Sequence, residues 1–215
     1  DLDIDLVRLC RFAGARLILG AASGVDRERG VVHVPNRPDV AYDVLSIDVG
    51  ITSMMPALPG FNAHAIPAKP LGAFASRWDA FRKAPSGDVA VIGGGVAGTE
   101  LAMAMQFALG RQAAVRLIDR GIILNGLGAT ARRKIRTALA ECGVEVIENA
   151  DVTSVDAQGV TLADGRKIAA QFVNGAAGAR PHDWQATIGV DVQDGFIKVN
   201  RALQSSDPAI FAVGD

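Results

Sequence analysis

The chain is poor in cysteine and histidine, carries no excess of charge and has no long apolar run. Cys10 and Cys142 are its two cysteines, far apart and without C-x-x-C spacing. They offer no disulfide framework or cysteine zinc site, and two isolated thiols point to a reducing compartment, hence a cytoplasmic protein. His33, His64 and His182 are scattered, none at metal-ligand spacing from a carboxylate or thiol, so no metal site is expected. Lysine and arginine number 22 against 23 acids, a formal net charge of −1 with no long run of either sign. That balance argues against nucleic acid as the main partner, because phosphate-backbone binding needs a basic face. No apolar run approaches the ~20 residues of a membrane span. The opening DLDIDLVRLC lacks the basic start and apolar stretch of a signal peptide. Peripheral association with a membrane stays open.

What is present is a core and a glycine turn. Hydrophobic residues are 49% of the 215, enough for one large domain or two small ones. The stretch 88–100, DVAVIGGGVAGTE, reads as a buried strand, a turn and the start of a helix. Gly93, Gly95 and Gly98 have the G-x-G-x-x-G spacing. Gly93 suits a tight turn, Gly95 removes a side chain that would strike a pyrophosphate, and Gly98 lets helix and strand pack closely. The amides of Val96 and Ala97, at the helix N-terminus, then face the anion. Glycine patterns are common, but this one follows Val89–Ile92 and precedes the helical run Thr99–Leu109. A second strand, Ala113–Asp119, ends in an acid 21 residues past Gly98, where a carboxylate accepts from an adenosine ribose. Asp119 favours NAD(H) by repelling a 2′-phosphate. Arg120 beside it suits the 2′-phosphate of NADP(H), or simply points to solvent.

Around this unit the pattern predicts an α/β fold. A helix at 6–12 closed by Gly14 leads into an antiparallel meander, Arg16–Leu19, Gly30–Pro35 and Tyr42–Ile47, with turns at Ser23-Gly24 and Asn36–Pro38. Residues 50–72 hold Pro56, Pro59, Pro67 and Pro70 and read as an irregular crossover. Helix Ala73–Lys83 comes before the glycine strand; helix Ala129–Glu141 and strand Val144–Glu148 follow it. Val152–Asp156 and Val160–Ala163 form a small β-meander, with Asp164-Gly165 as a hairpin turn. A strand near Ala169–Ala176, a hairpin around Gly195–Val199 and a strand Ile210–Val213 complete the chain. Cys142 continues the apolar face of Ile135, Ala138 and Leu139 and is expected to fill the core. Arg132, Arg133, Lys134 and Arg136 read as the solvated face of the same helix.

Four segments in order resemble the pyridine nucleotide–disulfide oxidoreductase superfamily, the flavoproteins with two dinucleotide domains. Residues 42–50, YDVLSIDVG, resemble its "YDxLxxATG" strand, and residues 93–100, GGGVAGTE, its nicotinamide-nucleotide turn. Residues 175–181, GAAGARP, resemble its "ATGxRP" strand end, and residues 203–215, LQSSDPAIFAVGD, its "IFAxGD" flavin motif. DLVRLCRFAGARLI (5–18) and HAIPAKP (64–70) are similar to the module fused to selenophosphate synthetase, near the type II NADH dehydrogenases.

The resemblance implies a Rossmann-type parallel sheet with helices and a small antiparallel β-meander, plus flanking partial FAD-domain segments. The division it suggests is 1–72 as the first part of an FAD-binding domain, 73–187 as the NAD(P)-binding domain and 188–215 as a truncated return to the FAD domain. It further implies hydride transfer from nicotinamide to FAD, then to an acceptor: a quinone, a small protein or a selenium compound. Glu100 would sit near the nicotinamide, although an acid in a first helical turn also serves the helix dipole. Gly178 would approach the nicotinamide ribose, with Arg180 as a structural anchor. Gly214 and Asp215 would belong to the flavin site, and Lys69 reads as solvated. No strand-GxGxxG-helix for FAD precedes residue 88, and the redox cysteine pair of the disulfide reductases is missing. Asp48 and Ala177 stand where the family has threonine. The chain is therefore expected to be a piece of a longer enzyme, inactive when isolated. The alternative is a non-catalytic NAD-binding or regulatory module of a selenophosphate synthetase fusion; a homodimer is also open.

Overall fold

A computed structural model describes residues 4–214. Internal contacts divide the chain into two compact units: 52–179, and the residues up to Ile51 together with those from Arg180 onward. The expected divisions were 72/73 and 187/188. The first falls earlier because residues 61–67 build part of the 52–179 unit.

In the discontinuous unit, α1 (Leu6–Ala13) starts at Asp5, whose carboxylate accepts from the Arg8 N–H at 3.0 Å, and ends at Gly14 with φ 64°. β1 (Gly24–Asp26), β2 (Val31–His33) and β3 (Val40–Ala41) form an antiparallel sheet; β4 (Leu45–Ile47) belongs to another. This differs from the expected meander. Arg16–Leu19 forms no strand, and Ser23-Gly24 leads into β1 instead of turning. The turn falls after Asp26, whose carboxylate accepts from the Arg29 N–H at 3.0 Å, with Gly30 at φ 62°. Tyr42–Ile47 is a strand only from Leu45, because the chain leaves one sheet at Ala41 and enters another.

The 52–179 unit runs β5 (Thr52–Ser53), a 3-10 turn (Met55–Ala57), α2 (Phe61–His64), β6 (Ala65–Pro67), α3 (Leu71–Lys83), β7 (Val89–Ile92), α4 (Val96–Leu109), β8 (Val115–Ile118), α5 (Ala129–Cys142) and β9 (Glu145–Ile147). β10 (Val152–Asp156), β11 (Gly159–Leu162) and β12 (Lys167–Ala169) make the antiparallel meander, and β13 (Phe172–Gly175) returns to the main sheet. β14 (Ala179–Arg180) lies at the join; β15 (Val192–Gln193), β16 (Phe196–Ile197) and β17 (Ile210–Ala212) follow. β17 pairs in parallel with β4, over a core of Ile47, Ile188, Val190 and Ile210.

Five parallel strands in the order β6-β13-β7-β8-β9 form the main sheet. Both faces are covered, which is why β7 is an unbroken apolar run with all four residues buried. Val89, Val91, Val115 and Leu117 pack on α4, where Ala102, Met105 and Leu109 recur at helical spacing. Ala90, Ile92, Ile118 and Val173 face the meander side, against Val155, Val160 and Leu162. Buried Gln106 joins α4 to β8: its amide donates to the Gly110 and Ala113 carbonyls, and its Oε1 accepts from the Val115 N–H at 2.8 Å.

Residues 50–72 are not the irregular crossover expected from their prolines. β6 is the sheet's edge strand, where Pro67 ends the pairing without breaking a two-sided ladder. The run 169–176 splits into β12 and β13, which lie in different sheets. Cys142 is exposed: it occupies the last residue of α5, beyond the Leu139 turn that meets the core. No helix among the described residues is long and apolar enough to cross a membrane.

Candidate functional site

After β7 the chain proceeds to β8 and β9 on one side, while β13 returns on the other. The strand order therefore reverses at the C-terminal end of β7, the position at which open α/β sheets form a ligand crevice. A cleft of about 560 Å³ lies there, lined among others by Gly93–Gly95, Asp119, Arg120, Asp151 and Gly178.

Each glycine of the turn has a distinct steric reason. At Gly93 (φ 115°) an added Cβ would stand 2.8 Å from the Ala177 nitrogen, and at Gly98 it would stand 1.8 Å from the Gly93 carbonyl oxygen. Gly94, outside the expected motif, is equally constrained, with the Ile123 Cγ2 2.3 Å from its Cβ position. Gly95 differs: a Cβ there meets nothing within 4 Å. The protein itself does not require glycine at 95; space for something in the cleft does. Gly95 is also the N-cap of α4 and provides no side-chain cap. Val96 and Ala97 follow as the first, exposed residues of the helix, so its N-terminal dipole has no anionic side chain of its own.

Asp119 lines the same cleft, and its carboxylate serves as an internal brace. Oδ2 accepts from the Gly94 N–H at 2.6 Å and Oδ1 from the Gly121 N–H at 2.7 Å. A carboxylate has about four lone-pair directions, so acceptor capacity toward a ligand hydroxyl remains. Arg120 is exposed and makes no ion pair among the described residues. Gly178 (φ 65°) reaches the cleft from the end of β13; its carbonyl accepts from the Met54 N–H at 2.8 Å, and an added Cβ would stand 3.0 Å from the Met54 Cβ.

Val96, Ala97 and Gly98 of the turn, and Glu100 after it, are not among the residues that line the cleft. Glu100 is exposed just past the first turn of α4, which itself holds no acid. Arg180 pairs with Asp183 at 3.4 Å. Gly214 (φ 100°) lies in the discontinuous unit, where an added Cβ would stand 2.6 Å from Asp48 Oδ1. Asp215 lies outside the described residues. Sequence reasoning named Arg120 but missed the rest of the loop, 121–128, and Glu148. Glu148 accepts from the Ile123 N–H at 2.9 Å and pairs with Arg136, whose guanidinium is the main cause of a pKa below the usual carboxylate range. Arg136 is thus an ion-pair partner and not solely part of a solvated face. The available signal was the short glycine spacing of Gly121, Gly126 and Gly128 directly after a strand-end acid.

A parallel sheet covered on both faces, with a glycine turn at its switch point, defines a Rossmann-type α/β protein. The chain belongs to the pyridine nucleotide-disulphide oxidoreductase family, whose sequence profile matches residues 11–215. It is 31% identical over 198 residues to the nitric oxide reductase FlRd-NAD(+) reductase of Aeromonas hydrophila, covering 89% of this chain and 50% of the relative. The solved NAD-dependent persulfide reductase from A. fulgidus shares the fold with a TM-score of 0.83 at 23% identity, over 97% of this chain and 40% of that one. The water-forming NADH oxidase from Lactobacillus brevis, solved bound to NADH, superposes with a TM-score of 0.73 at 26% identity, over 91% and 45%. The chain spans between 25% and 50% of the length of the first curated relatives it matches.

Proposed function

We propose that this chain is the nicotinamide-dinucleotide-binding part, with flanking flavin-domain segments, of an NAD(P)H-dependent FAD flavoprotein oxidoreductase. One observation carries the reading: the uncapped N-terminus of α4 opens at a glycine whose missing side chain leaves free space in the switch-point cleft. That cradle fits a pyrophosphate. The amides of Gly95, Val96 and Ala97 bind it, Asp119 accepts from the adenosine ribose, and Gly178 admits the nicotinamide half. Glu100 orients the carboxamide, and Gly214 and Asp215 belong to the flavin segments. NAD(H) is the preferred dinucleotide because a carboxylate at the ribose repels a 2′-phosphate; Arg120, without an ion pair among the described residues, leaves room for NADP(H). Bound nicotinamide and flavin supply the hydride chemistry, and the residues here supply position and polarity.

The electron acceptor belongs to the same proposal: a quinone, a small protein or a selenium compound. So do a cytoplasmic location and a homodimer. The regulatory module of a selenophosphate synthetase fusion is not favoured, because the relatives named above are reductases and an oxidase. The deciding experiment is a visible spectrum of the purified chain followed by NADH titration read by tryptophan fluorescence. Quenching that saturates supports the dinucleotide reading, and a flavin band near ~450 nm bleached by NADH adds the redox step. No saturable response to NADH or NADPH refutes the assignment.

A further inference from the structure

Between β8 and α5 the chain forms a strap, residues 120–128, whose Ile122, Leu124 and Asn125 line the cleft. The Gly121 N–H donates to Asp119 Oδ1 at 2.7 Å, and the Gly121 carbonyl accepts from the Asn149 N–H at 3.1 Å. The Leu124 N–H donates to the Gly94 carbonyl at 2.8 Å. The remaining anchor is ionic. The Ile123 N–H donates to Glu148 Oε1 at 2.9 Å, and the two Glu148 oxygens accept from Arg136 at 2.5 and 3.0 Å. Ile123 is 0% exposed, so without Glu148 its amide would be an unpaired donor away from water. Leu124, 3% exposed, holds φ 56°, a conformation that a leucine keeps only where its surroundings impose it.

The strap matters because of the peptide it grips. The Gly94 N–H is bound by Asp119 and its carbonyl by Leu124. A planar trans peptide places the N–H of the next residue opposite that carbonyl. Fixing the Gly94 carbonyl therefore fixes the Gly95 N–H, the first amide of the proposed pyrophosphate cradle.

We infer that Glu148, backed by Arg136, is a positioning residue for dinucleotide binding: it sets the strap through the Ile123 amide, and the strap sets the Gly94–Gly95 peptide. Glu148 does not itself line the cleft. The inference rests on the dinucleotide reading above, and its test separates the two. Glu148→Ala is compared with Glu148→Gln, which keeps an acceptor for Ile123, and with Arg116→Ala. Arg116 joins Asp88 and Glu145, at 2.9 and 2.8 Å, at the opposite end of the same strands.

The NADH Kd is expected to rise about tenfold in Glu148→Ala, from the loss of one charge-assisted anchor, and less in Glu148→Gln. Arg116→Ala should lower Tm yet change Kd by no more than about twofold, as a distant, independent site does. An unchanged Kd in Glu148→Ala, or Kd losses that track Tm equally in both alanine variants, overturns the positioning role. Should the unaltered chain not bind NADH, the dinucleotide reading falls, and hydrogen exchange across 120–128 still decides the clamp. Faster exchange in Glu148→Ala supports it; unchanged exchange overturns it.

Discussion

Replacing Gly95 with valine separates what the protein needs from what a ligand needs. Gly95 has φ −71° and ψ −177°, an extended conformation that any L-residue adopts, and its Cβ position is free of contacts to 4 Å. The folding cost is therefore limited to a poorer N-cap, about 1 kcal/mol, or roughly 2–4 °C in Tm for a chain of this size. In the cleft the same side chain would fill the place proposed for the pyrophosphate, and NADH binding should fall beyond detection. Gly98→Ala is the mirror image. Its Cβ would stand 1.8 Å from the Gly93 carbonyl oxygen, so helix and strand must separate. Overpacking of that kind costs about 1–3 kcal/mol. Calorimetry and NADH titration on both variants decide the matter. A Gly95→Val chain that binds NADH normally, or one that unfolds while Gly98→Ala does not, refutes the assignment of the turn.

Asp119→Ala should weaken NADH more than NADPH and also lower Tm, because it frees the two N–H groups of Gly94 and Gly121. Equal losses for both nucleotides would remove its ribose role, and an unchanged Tm would remove its brace role. In acid, the Arg136 pairing depresses the folded-state pKa of Glu148. Its stabilising contribution is complete above the unfolded-state value of ~4.3 and disappears as pH falls through the lowered folded value. Glu148→Gln should therefore lose less Tm than the unaltered chain between neutral pH and pH ~3; parallel curves would contradict this.

The legible parts of the fold were those whose partners lie nearby in sequence or whose burial is symmetric. β7 and α4 follow from an apolar run, a glycine turn and helical spacing, and the Asp164-Gly165 turn from Asp164 accepting the Arg166 N–H. β6 was illegible because a three-residue edge strand ending in proline has no periodicity of its own. The strap was missed for a related reason: apart from the local Asp119–Gly121 bond, its anchors, Gly94, Asn149 and Glu148, are tertiary. Asp119 was read at the right strand end, yet its hold on Gly94 across 25 residues of sequence could only be seen once the sheet was assembled. Cys142 shows the limit of periodicity, which gives the face of a helix but not where the core beneath it stops.

The place of β13 has a consequence for how this unit comes together. It lies between β6 and β7, though it is the last strand of the main sheet in sequence. Until Phe172–Gly175 has been synthesised and inserted, β6 and β7 each present a bare edge to the cell, and such edges template aggregation. The closing strand also carries Asn174, fully buried, whose amide donates to the Ile66 carbonyl at 3.1 Å. A nascent chain stalled before residue 172 is thus the sticky species that a chaperone would have to shield.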